Sequence, residues 1–120
     1  MKKDILEEAI CVAQIFSDHA RYRENIRRAC LALKRRVPGY SDEKYQSTFQ
    51  MALQYYKNAI DFVRENQDKF WTNYEKYKEE KDIAGCYIGL DKKFYKSQKG
   101  FKLKTVRSTL AWVFYWHCMR

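Results

Sequence analysis

From Ile5 to Val37 the apolar positions are Ile5, Ala9, Val12, Phe16, Tyr22, Ile26, Ala29, Cys30, Leu33 and Val37, with His19 in phase. Spacings of three and four are those of one buried helical face. Ser17 and Asp18 can both bond free backbone N–H groups and so offer a second start that would divide this first helix. Pro38-Gly39 ends it, because proline disfavours helix in the residue before it and glycine readily turns. Ser41 and Asp42 offer the next N-cap, followed in phase by Tyr45, Phe49, Ala52, Leu53, Tyr56, Ala59, Ile60 and Val63. The same phase runs on through Phe70, Trp71, Tyr74 and Tyr77, so either one helix reaches Glu80 or a kink near Asn66-Gln67-Asp68 folds it back. Forty helical residues would span about 60 Å, against a radius of gyration of about 13 Å for a compact chain of this size. A straight helix therefore implies an elongated or dimeric protein.

Asp82 to Leu90, with Gly85 and Gly89, reads as a connector. Asp91 to Lys104 is rich in lysine and broken by Gly100, and is expected to be a loop or short turns. Thr105 then caps a last helix from Val106 to Met119, apolar on every side, as in a helix surrounded by protein. The fold class is all-α, a small bundle of three to four helices in a single domain covering residues 1–120. The aromatic content, 17%, supports a packed core.

The acidic residues Glu7 and Glu8 argue against a secretory leader. Leu110 to Met119 is about half the length needed to cross a bilayer. Cys11, Cys30, Cys86 and Cys118 are widely separated, which favours reduced thiols in a cytoplasmic protein over a disulfide framework.

Charge changes the picture most. Fourteen of the twenty-four Lys and Arg residues fall in windows 21 to 36 and 92 to 107, where Glu24 is the one acidic residue. On a helical wheel the apolar residues of the first window occupy an arc of about 100°. Arg23, Arg27 and Lys34 form one row outside it, and Arg21, Arg28 and Arg35 a second. A solvated face normally alternates sign to gain support between neighbouring turns. Here seven like charges confront one glutamate, which points to an anion. Arginine forks bond two phosphate oxygens at once. In the second window Lys92, Lys93, Lys96, Lys99, Lys102 and Lys104 alternate with Phe94, Tyr95 and Phe101, which either stack on bases or anchor the segment to the core. The two windows form one surface only where the fold brings them together.

No zinc-finger, helix-turn-helix or RNA-recognition signature is present, so backbone or shape recognition is expected rather than base reading. His117-Cys118 faces two directions on an apolar helix and makes a poor metal site. No phosphate-binding glycine loop occurs, and the chain is expected to be non-enzymatic, with no cofactor, metal or small-molecule substrate. The surplus apolar residues Met51, Tyr55, Phe62, Trp112, Tyr115 and Trp116 either fill the core or form a protein-contact surface, including a homodimer seam. Together these features describe a small binding protein, an accessory or regulator of a nucleic-acid-handling complex such as those of bacterial or phage defence, CRISPR-type enzymes among them. The alternative is a protein-only adaptor or inhibitor whose cationic face docks on an acidic protein surface.

Overall fold

The computed structural model describes residues 3–18 and 26–119. Among them every regular element is helical, in the order α1 (Ile5–Asp18), α2 (Ile26–Arg36), α3 (Asp42–Glu65), α4 (Gln67–Lys81), α5 (Asp91–Ser97) and α6 (Leu103–Phe114). A 3-10 segment, Asp82–Tyr87, joins α4 to α5, and a π turn, Tyr115–Met119, follows α6. The all-α class is thus observed, with more and shorter helices than the three to four expected. No described helix is long and apolar enough to cross a membrane. The chain divides into two compact units, Met1–Tyr56 and Lys57–Arg120, the division falling within α3.

In the first unit, Asp4 caps α1, its carboxylate accepting the N–H groups of Leu6 at 2.8 Å and Glu7 at 3.2 Å. Ala9, Ile10, Val12 and Ala13 are buried, as are Ala29 and Leu33 of α2, which packs on α1. Of the long first helix expected, α1 and α2 are described, and residues 19–25 lie outside the described residues. The Pro38-Gly39 stop holds, and Gly39 takes a φ of 106°, in the left-handed region that side chains disfavour. Tyr45 secures this turn. Its hydroxyl donates to the Val37 carbonyl and accepts the Tyr40 N–H, while the Tyr40 ring meets its own edge-on at 5.9 Å. Ser41 caps α3 by accepting the N–H of Lys44 at 3.1 Å.

In the second unit the break between α3 and α4 falls at Asn66, inside the Asn66-Gln67-Asp68 stretch. The Asn66 side-chain amide donates to the Phe62 carbonyl at 2.8 Å, a carbonyl that the Asn66 backbone N–H also uses. Such competition for a backbone acceptor disfavours a continuing helix. Beyond the break, Phe70 and Phe114 are fully buried and stack at 5.8 Å, with Trp71 edge-on to Phe114 at 5.0 Å. Phe62 joins Phe70 to Phe94 of α5, at ring separations of 6.2 Å and 4.9 Å. The 3-10 segment folds against α4, where the Asn73 amide donates to the carbonyls of Cys86 and Ile88.

Gly85 lies under Tyr77 so closely that a Cβ added to it would sit 2.5 Å from the Tyr77 Cβ. That neighbour is the rigid root of a side chain and cannot swing away. Gly85→Ala is expected to destabilise the protein by about 1–3 kcal/mol, read as a lower urea midpoint. An unchanged midpoint would show that the connector is not packed in this way.

Candidate functional site

Each unit carries one basic segment. In α2, Ala29 and Leu33 occupy the inner side, leaving Arg27, Arg28, Lys34 and Arg35 exposed. Arg27 and Lys34 lie one above the other, as do Arg28 and Arg35, about 10 Å apart along the axis. This portion of the expected two rows is therefore in place. Arg21 and Arg23 lie outside the described residues. Two cations of the segment are engaged with carboxylates: Arg36 with Glu8 of α1 at 3.4 Å, and Lys34 with Asp42 at 3.8 Å.

Between α2 and the start of α3 is a cleft of about 430 Å³, lined by apolar Ile26, Cys30 and Leu31 and bordered by Arg27, Lys34 and Asp42. Leu31 is 51% exposed. Burial, and then the Asp42 carboxylate, push the Cys30 thiol above its ordinary range. This is the reverse of the activation a nucleophilic cysteine requires. The Cys86 thiol, fully buried, is pushed up to about 12 by desolvation and secondarily by Cys118. All four cysteines are free thiols. Among the described residues no three His, Cys, Asp or Glu side chains gather as a metal-binding group.

The second basic segment is more ordered than a loop. Asp91 to Ser97 form α5, so Phe94 and Asp91 share the inner side while Lys92, Lys93 and Lys96 are exposed. Phe94 and Phe101 are buried, and their role is anchoring rather than stacking on bases. Tyr95, 41% exposed, is the aromatic that remains among the lysines. Lys99, Lys102 and Lys104 continue the exposed series through the Gly100 turn, where φ is 92°.

The ends of this segment are joined by an interaction that the charge count alone does not disclose. Arg107 of α6 donates from Nε to Asp91 Oδ2 at 2.7 Å, and Asp91 Oδ1 accepts the Lys92 N–H at 2.9 Å. The Asp91 side chain is only 8% exposed. Arg107, counted among the basic residues of the window, is thus engaged in closing it. Lys92, Lys93, Lys96, Lys99 and Lys104 form no ion pair among the described residues.

α6 begins at Leu103, three residues or nearly one turn earlier than a Thr105 cap would place it, because the Val106 N–H already bonds the Lys102 carbonyl. Nor is it enclosed by protein. Val106, Thr109, Leu110, Val113 and Phe114 are buried, but Trp112 is 38% and Tyr115 45% exposed. Trp116 is half-buried, with its ring 5.3 Å from that of Trp112. Of the other residues considered for protein contact, Met51 is exposed, Phe62 is half-buried in the ring cluster, and Tyr55 is buried and removed from the surface.

Arg107→Ala would leave the Asp91 carboxylate buried without its cation. We expect a loss of about 1–3 kcal/mol of stability, measured by urea unfolding, with faster amide exchange concentrated in residues 91–101. Exchange unchanged in that segment would contradict the closing role of the pair.

No protein-family model matches the chain, and comparison with the curated proteins and with the solved structures gave no match.

Proposed function

We propose that this chain is a small non-enzymatic binding protein, an accessory or regulator of a nucleic-acid-handling complex, that holds phosphates on exposed lysines and arginines. The observation that carries the reading is the segment from Asp91 to Arg107. Its single carboxylate and its arginine neutralise each other at 2.7 Å, while Lys92, Lys93, Lys96, Lys99 and Lys104 are exposed and form no ion pair among the described residues. Like charges one turn apart, such as Lys92 and Lys96, repel, so a polyanion that spans them relieves a cost the free protein bears. Ammonium groups act on phosphates as point charges without reading bases, which fits the absence of a base-reading motif. The arginine rows of α2 supply a second phosphate-binding surface, with bidentate geometry. Protein contact within the complex falls to the exposed Met51 and Leu31 of the first unit. Bacterial and phage defence complexes, CRISPR-type enzymes among them, are the setting this reading favours.

A second reading, a protein-only adaptor or inhibitor, draws support from the cleft beside α2. Its apolar floor and the flanking Arg27 and Lys34 suit an acidic segment with an apolar side chain.

Binding of labelled single- and double-stranded DNA and RNA at low salt separates the two. The phosphate reading predicts retention of at least one of these polymers. It also predicts that Lys92→Glu/Lys93→Glu/Lys96→Glu weakens binding at least about tenfold, with helicity unchanged by circular dichroism. Arg27→Glu/Arg35→Glu, tested in parallel, reports on the α2 surface. No retention at low salt would remove the phosphate reading and leave the adaptor.

A further inference from the structure

The outer face of α6 changes character along its length. At 100° per residue, Lys104, Ser108, Ala111, Trp112 and Tyr115 fall within an arc of about 100°. The buried Val106, Thr109, Leu110, Val113 and Phe114 occupy the opposite side. The exposed strip thus starts with a cation at the helix N-terminal end and finishes with aromatic rings. Trp112 and Trp116 lie 5.3 Å apart, and Tyr115 meets Trp116 edge-on at 6.0 Å. Lys104 and Trp112 are eight residues apart, about 12 Å along the helix.

Three large rings grouped at a surface usually mark a protein contact or a stacking platform. The lysines favour the second here. The same strip begins at Lys104, which follows Lys99 and Lys102 within the segment that the Asp91–Arg107 pair holds closed. A strand whose phosphates lie on the lysines is thereby led along α6 onto the rings. A duplex keeps its bases stacked inward and offers the rings nothing. A single strand presents the π-face of each unpaired base, and aromatic stacking tolerates any base.

We infer that Trp112, Tyr115 and Trp116 form a base-stacking platform for single-stranded nucleic acid, with Lys104 and the lysines before it holding the phosphates of the same strand. This rests on the phosphate reading above and adds to it the substrate class, an unpaired strand.

The test compares three ligands of the full chain at one salt concentration: an about 16-nucleotide thymidine strand, an abasic strand of equal length and charge, and a duplex of that length. The thymidine strand is expected to bind about five- to hundredfold more tightly than the abasic strand, the range for stacking of a single base. It should also quench the tryptophan emission of the unaltered protein, which the abasic strand should not. Trp112→Ala/Tyr115→Ala should abolish the preference while retaining affinity for the abasic strand. Equal binding of thymidine and abasic strands, with no quenching by either, overturns the stacking inference and leaves the phosphate reading intact. Failure of all three ligands, and of the corresponding RNA strand and duplex, to bind overturns both. A double variant that changes the molar mass in light scattering while the thymidine preference persists identifies a protein seam and also overturns the inference. Because quenching is read on the unaltered protein, misfolding of the variant does not remove the test.

Discussion

A carboxylate as enclosed as that of Asp91 requires a partner, since an isolated buried charge costs several kcal/mol. Arg107 supplies it, sixteen residues further on, and the basic segment between them is drawn into a closed hairpin. Phe94 and Phe101 fasten that hairpin to the aromatic core from inside. With its one acid and its arginine consumed in closure, and Phe94 and Phe101 turned inward, the segment presents lysine and Tyr95 to solvent. The cationic character of this surface is therefore a consequence of how the hairpin is closed, and not merely of composition.

The other ion pairs differ in kind. Lys78 and Glu75, at 3.0 Å, are neighbours on one exposed helix face, and Lys34 and Asp42 are both well exposed. Pairs of that sort contribute little and break readily when a stronger anion arrives. Arg36 and Glu8 brace α2 against α1.

Helical periodicity made the all-α class, the Pro38-Gly39 stop and the start of α3 readable, because each depends on residues within a few positions of one another. Asn66 was readable as a place to break but not as a break, since the outcome turns on which carbonyl its amide takes. α5 was hidden by its lysines, whose mutual repulsion argues for a loop when burial of Phe94 and Asp91 is unknown. Asp91 gave one usable sign, an acidic residue before a basic run, but nothing local pointed to Arg107. The apolar run of α6 concealed a two-sided helix, because Trp112 and Tyr115 count as apolar in any periodicity while standing at the surface. The four candidate residues Arg27, Arg28, Lys34 and Arg35 did fall where the helical wheel placed them, and Tyr55 did not reach the surface.

The claim that the closed lysine hairpin binds phosphates is tested most directly by the salt dependence of affinity for a single strand. Each phosphate neutralised contributes a slope of about −0.7 in log affinity against log salt. Replacing Lys92, Lys93 and Lys96 together with Gln is predicted to make the slope shallower by about 2. A slope identical in the altered and unaltered proteins would contradict the assignment of phosphate contact to this surface.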